Sequence, residues 1–174
     1  MFIMIKEKMK KIILSITLCF LCINCSNTTA PNENDSNTAW VFVANEGEYN
    51  FSVQTNTGTI SMIDSYGNVY ETESLGDIIH SLAIYNDKLV VSANNSQKIL
   101  IFDISPSGIN NKHEILTLDA LSPRELVILN NKAYFGTWNS DYTIYQNTPG
   151  FIQVLNLDNL KIEESIEEGI MPEG

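Results

Sequence analysis

Three segments of the chain share one pattern at a spacing of about 45 residues, a period that confines the fold to architectures built by repetition of one supersecondary unit. The segments are Trp40-Val-Phe-Val-Ala-Asn45, Leu89-Val-Val-Ser-Ala-Asn94 and Ala133-Tyr-Phe-Gly-Thr-Trp138. Each is rich in β-branched and aromatic residues and is followed, after a polar loop, by a second run that closes on Asp or Asn: Thr59 to Asp64, Lys98 to Asp103 and Phe151 to Asn156.

Reading one unit in order gives four strands. Leu126 to Leu129 forms a short first strand, Asn130-Asn-Lys132 a tight turn, Ala133 to Trp138 the second strand, Phe151 to Asn156 the third and Lys161 to Ile166 the fourth. The preceding unit runs through Ser81 to Tyr85, Asn86-Asp-Lys88, Leu89 to Asn94, Lys98 to Asp103 and His113 to Leu118. Repeated sets of four antiparallel strands predict an all-β chain, a β-propeller of four-stranded antiparallel blades. A β-sandwich explains the strands but not the two matched turns, which lie 44 residues apart. About three blades are present. Propellers close with about four to eight, so the expectation is an incomplete ring: the N-terminal part of a longer repeat, whose missing half would supply the first strand of the first blade. Met171-Pro-Glu-Gly174 reads as the opening of a further blade.

The segment before the repeats reads as an address. Lys6, Lys8, Lys10 and Lys11 precede an apolar run from Ile12 to Ile23, and a polar tract follows at once. A run of about a dozen apolar residues is too short for a bilayer-spanning helix and has the form of a secretory signal. All three cysteines, Cys19, Cys22 and Cys25, lie here. Cys25 stands at the junction of apolar run and polar tract, where a bacterial lipoprotein carries its lipidated cysteine, with Asn24 where a small residue is usual. The organisation expected is a lipoprotein signal peptide over 1–25, a polar linker over 26–38 and the repeat domain over 39–174. The location expected is outside the cytoplasm, at the outer membrane or cell surface, held by a lipid anchor. The chain carries 10 Lys and Arg against 21 Asp and Glu, and beyond residue 25 the balance is 6 against 20. A surface this acidic disfavours nucleic acid and anionic headgroups, and favours neutral or cationic small ligands.

Val43-Ala-Asn-Glu-Gly47 with Thr59 to Asp64, then Asn86-Asp-Lys-Leu89, Leu121-Ser-Pro-Arg-Glu125, Asn131-Lys-Ala-Tyr134 and Gly169 to Gly174, resemble the YncE-like β-propellers, in particular surface lipoproteins that open on Asn-Glu-Gly. Some members of that group cap an outer-membrane TonB-dependent transporter and capture cobalamin or related corrinoids. The resemblance therefore implies a lipid-anchored binding module that takes up a small, corrinoid-like nutrient with such a transporter as partner.

In an up-and-down blade, the loop between second and third strands emerges on the same side as the loop leading to the next blade. That side carries the long loops 45–58 and 138–150. Alignment by the turns places His80, Arg124 and Glu173 at one repeat-equivalent position at the start of the innermost strand. Together with Tyr49, Trp138, Tyr142 and Tyr145 they are the candidate ligand-binding residues. The alternative for the charged trio is that Arg124 and Glu173 lock neighbouring blades, and for the aromatics that they pack the loops. Asp64, Asp103 and Asn156 recur at a strand end, where one acid per unit reads more simply as a turn residue than as a calcium ligand. Glu163-Glu164 and Glu167-Glu168 read as a solvated outer edge. Two histidines in different strands, no cysteine beyond residue 25 and no Gly-x-Ser-x-Gly elbow leave nucleophilic hydrolysis without its parts. The expectation is a binding protein without catalytic residues, metal or cofactor. The alternatives are a protein-interaction scaffold on the cell surface, or part of a propeller hydrolase or dehydrogenase.

Overall fold

A computed structural model describes residues 39–48, 50, 53–117, 122–138 and 148–170. The segments read as signal peptide and linker, with Cys25, and Tyr49, Tyr142, Tyr145 and Glu173 lie outside the described residues.

The described chain is all-β. Eleven strands form three antiparallel sheets. β1 (Val41–Asn45), β2 (Thr59–Ile63) and β3 (Val69–Glu71) make sheet 1. β4 (Ile79–Tyr85), β5 (Lys88–Ala93), β6 (Lys98–Ser105) and β7 (Gly108–Leu116) make sheet 2. β8 (Ser122–Leu129), β9 (Lys132–Trp138), β10 (Pro149–Asn156) and β11 (Lys161–Ile170) make sheet 3. Within each sheet the strands follow chain order, so every connection is a hairpin. The unit of four antiparallel strands expected from the repeat is present twice. Several strand limits differ, and the largest shifts are these: β8 begins four residues earlier than the apolar run at Leu126, β7 spans Gly108–Leu116 instead of starting at His113, and β11 continues to Ile170. In each case backbone pairing extends past the apolar residues that mark a strand in sequence, because ladder hydrogen bonds do not require apolar side chains.

The sheets pack face to face through alternate residues. Leu89, Val91, Ala93, Leu100 and Phe102 of sheet 2 meet Ile60 of sheet 1, with Phe42, Ala44 and Met62 at the margin. Val90, Ile99 and Ile101 point the other way, onto Leu126, Ala133, Phe135 and Leu155 of sheet 3. Sheet 2 is therefore buried on both faces, which is why β5 and β6 read as nearly continuous apolar runs. At about 1.5–3 kcal/mol for each fully buried large aliphatic or aromatic side chain, these two seams supply the main driving force for folding. Sheets 2 and 3 also touch at β8: the Leu126 N–H donates to Ser81 Oγ of β4 (3.2 Å), and Asn94 Nδ2, just past β5, donates to the Pro123 carbonyl (2.9 Å). The fourth strands β7 and β11 are exposed along most of their length.

The matched turns have the same two-residue length and the same left-handed first residue, and differ at the second, where Asn131 but not Asp87 is left-handed. Asn86, Asn130 and Asn131 adopt left-handed backbone with φ of 54°, 49° and 61°, a region Asn tolerates better than most residues. The Asp87 carbonyl accepts from the Ile104 N–H (2.6 Å), and the Asn131 carbonyl accepts from the Leu157 N–H (3.0 Å). Beside each turn stands a lysine at the same register position. Lys88 pairs with Asp103 (2.9 Å); Lys132 faces the neutral Asn156 and instead reaches Glu163 on β11 (3.0 Å). Glu163 is thus clamped between Lys132 and Asn156, whose Nδ2 donates to it (2.8 Å), and is not simply a solvated edge charge.

Of the three residues read as strand-end turn formers, Asp64 and Asn156 form turns, whereas Asp103 lies inside β6 and instead accepts from Lys88 and Asn111 on the neighbouring strands (2.9 Å each). Asp64 accepts from the Tyr66 and Asn68 amides and from Asn68 Nδ2 (each 2.9 Å), and Asn156 Oδ1 accepts from the Asp158 N–H (2.8 Å). Burial pushes the Asp64 carboxyl upward, but these hydrogen bonds outweigh it and hold the group below its usual range. Asn111 and then Lys88 lower Asp103 in the same direction, and Asn156 and then Lys132 lower Glu163. A carboxyl depressed in the folded state binds fewer protons there than in the unfolded chain, so stability increases as pH rises through that window and is lost as pH falls. The protein is expected to keep its unfolding midpoint from neutral pH to about pH 5 and to lose stability below about pH 4. Urea titrations across that range check this, and Asp64→Asn should flatten the acid limb.

Candidate functional site

The end of the sheets that carries loops 46–58, 72–78 and 94–97 is tied together by a polar network. Gly58 donates to the Gly76 carbonyl (2.9 Å) and the Asn94 N–H to the Ile78 carbonyl (2.8 Å). A Cβ at Gly58 would lie 2.8 Å from Ile79 Cγ1 and 3.0 Å from the Gly76 oxygen, so only glycine permits this approach. Asp77 is fully buried at the centre. Its carboxylate accepts from Thr55 Oγ1 (3.1 Å) and Asn95 Nδ2 (2.6 Å), and its N–H donates to Ser96 Oγ (2.7 Å). Gln54 Nε2 donates to the Asn95 carbonyl (2.6 Å), which joins the long first loop to the second sheet. Asp77 orders this end, and sequence reading missed it. Its only local signal is an acid beside a glycine immediately before an apolar strand.

Both described first strands carry a β-bulge at the same place. In sheet 2 the register steps from Ile79↔Ala93 to Ser81↔Ser92, leaving His80 as the extra residue. In sheet 3 it steps from Pro123↔Thr137 to Leu126↔Phe135, leaving Arg124 and Glu125 against a single partner. His80 and Arg124 are 44 residues apart, so their equivalence expected from the turns is also an equivalence of backbone geometry. A bulge re-aims a side chain and frees ladder donors. Those donors are answered by serines: the Ser81 N–H donates to Ser92 Oγ (3.0 Å), and the Leu126 N–H to Ser81 Oγ.

The bulged residues make specific contacts. Arg124 Cζ lies 4.2 Å from the centroid of the Trp138 ring, a cation–π stack within one sheet. His80 Nε2 lies 3.5 Å from Glu125 Oε1, a contact that becomes an ion pair when the imidazole is protonated. Glu125, the other residue of this bulge, thus reaches the neighbouring sheet through His80. The imidazole is 18 % exposed and the Glu125 carboxylate 56 % exposed, so the pair is open to solvent on the glutamate side. Of the seven candidate ligand-binding residues, the structure describes His80, Arg124 and Trp138 and gathers them at one end of adjacent strands. Glu125 was missed because its neighbour Arg124 carries the repeat equivalence, and only the cross-sheet contact distinguishes it.

Among the described residues no three His, Cys, Asp or Glu side chains come together as a metal-binding group. What the arrangement offers chemically is two pairs at one end of the strands, a cationic planar group stacked on indole and an imidazole beside a carboxylate.

No protein-family model matches the chain, and no curated protein sequence matches it. Among solved structures it is similar to a europium-containing methanol dehydrogenase, with a TM-score of 0.49 and 10 % identity over 75 % of this chain and 23 % of that one. The chain thus spans about a quarter of that protein's length. A likeness of this order bears on neither activity nor substrate.

Proposed function

We propose that this chain forms blades of an exported, lipid-anchored β-propeller of the YncE-like kind, and that it works as a binding module. It captures a small, corrinoid-like nutrient at the loop-bearing end for an outer-membrane TonB-dependent transporter. The observation that carries the binding reading is the pair of repeat-equivalent bulges, which bring His80 and Arg124 to one end beside Trp138. Two bulges at one register position are a backbone device for aiming side chains, and aromatic and arginine side chains on a rigid scaffold are the groups most used to hold planar, polar ligands. Export and anchoring rest on Lys6 to Cys25 alone.

Two measurements test this reading. Metabolic labelling of the full chain with a radioactive fatty acid should mark the wild type and fail with Cys25→Ser. Calorimetric titration of the full chain with cobalamin and cobinamide should give saturable heat, and Arg124→Ala or Trp138→Ala should weaken affinity at least tenfold, about 1.4 kcal/mol. Absence of heat with both corrinoids overturns the nutrient class. Binding that neither substitution weakens overturns the site.

A further inference from the structure

We propose that the contact of His80 with Glu125 is a pH-operated switch, which sets whether the Glu125 carboxylate is held by sheet 2 or left open at the loop-bearing end. Where a ligand is concerned, the switch rests on the binding reading above. Sheets 2 and 3 meet here through three polar contacts. Two of them, the Leu126 N–H to Ser81 Oγ and Asn94 Nδ2 to the Pro123 carbonyl, join uncharged groups that do not titrate. They hold the two bulges in place at any ordinary pH. The third joins His80 Nε2 to Glu125 Oε1 at 3.5 Å, and its strength depends on the charge of the imidazole. The other ion pairs among the described residues stay within one sheet: Lys88–Asp103, Lys98–Glu114 and Lys112–Glu114 in sheet 2, Lys132–Glu163 in sheet 3. The titratable contact is therefore the one that crosses between sheets.

Histidine side chains change charge near about pH 6.5 and glutamates near about 4.3, so between those values an acid shift alters the imidazole and leaves the carboxylate ionised. On the alkaline side the neutral imidazole offers Glu125 no charge, and the carboxylate, 56 % exposed, can accept hydrogen bonds from a ligand. On the acid side the imidazolium attracts it across the seam, and a ligand must displace that contact. The charged groups of the elements packed on β4 are otherwise engaged. β1 carries none. On β5, Lys88 lies at the far end, opposite Tyr85, and pairs with Asp103. On β8, Arg124 stacks on Trp138. Asp77, just before β4, is buried and held by Thr55 and Asn95. Because the two uncharged contacts keep the bulges fixed, the switch redirects one side chain and leaves the fold as it is. A ligand that uses this acceptor binds more weakly at acid pH.

The full chain, labelled with carbon-13 at its glutamate carboxyls, tests the switch without a ligand. The Glu125 resonance, assigned by its loss in Glu125→Gln, should show a step between about pH 7.5 and 5.5 that vanishes in His80→Gln. No step in the wild type, or the same step in His80→Gln, overturns the proposal. Calorimetric titration with cyanocobalamin, which does not itself titrate in this range, tests the effect on capture. Affinity should fall by up to about fivefold from pH 7.5 to 5.5, the span of an exposed ion pair, and stay constant in His80→Gln and Glu125→Gln. Equal pH dependence in wild type and variants overturns the link to the site. If His80→Gln does not fold, Glu125→Gln decides by the same titration. Absence of heat at both pH values counts against the nutrient reading alone, and the carboxyl resonance then decides the switch.

Discussion

Replacing Phe135 with alanine is expected to lower the unfolding free energy by about 3–5 kcal/mol, the range for removing a large aromatic side chain from a packed core. Phe135 is 1 % exposed and sits among Val90, Ile99 and Ile101 of sheet 2 and Leu126 and Leu155 of its own sheet. Sheet 3 has no other described seam of this kind, because its opposite face carries Val127 and Leu129 at 62 % and 58 % exposure. The matched control is Val127→Ala, which should change stability by less than about 0.5 kcal/mol. Urea denaturation of both variants reads the difference directly, with unchanged slope showing that the same surface is exposed on unfolding. Equal losses from the two substitutions would mean that sheet 3 does not dock on sheet 2 through the Phe135 face.

The second large effect has the opposite sign. Gln153 is fully buried in β10, and among the described residues neither its Nε2 nor its Oε1 has a hydrogen-bond partner. It shares the inward face of Phe135, its register partner, so its amide lies against the apolar seam between sheets 2 and 3. A buried donor and acceptor left unmade cost about 1–3 kcal/mol, whereas an apolar group of similar volume removes that cost. Gln153→Leu is therefore expected to stabilise the protein by about 1–3 kcal/mol, measured as a rise in urea midpoint. A lower midpoint would show that the amide is satisfied in solution and would overturn this account. Because Gln153 and Phe135 are direct cross-strand neighbours, the double variant should not be additive.

Much of this architecture is written locally. The tight turns at Asn86 and Asn130 could be read because left-handed backbone favours Asn, and their separation of 44 residues set the phase in which His80 and Arg124 correspond. Asp64 and Asn156 were legible as turn residues because their partners lie within a few residues of them. Groups whose partners come from another sheet were not legible. Asp77 meets Thr55, Asn95 and Ser96 across separations of about twenty residues, and Glu125 meets His80 from the next repeat.

By itself, then, the order of apolar runs and turn residues determined the strands, their antiparallel grouping and the repeat, since each depends on backbone preferences a few residues long. Tertiary structure alone decided the bulges that aim His80 and Arg124, the burial of Gln153 and Asp77, and which faces of each sheet meet. Those depend on register between strands and on contact between sheets, where a one-residue shift sends every side chain to the other face.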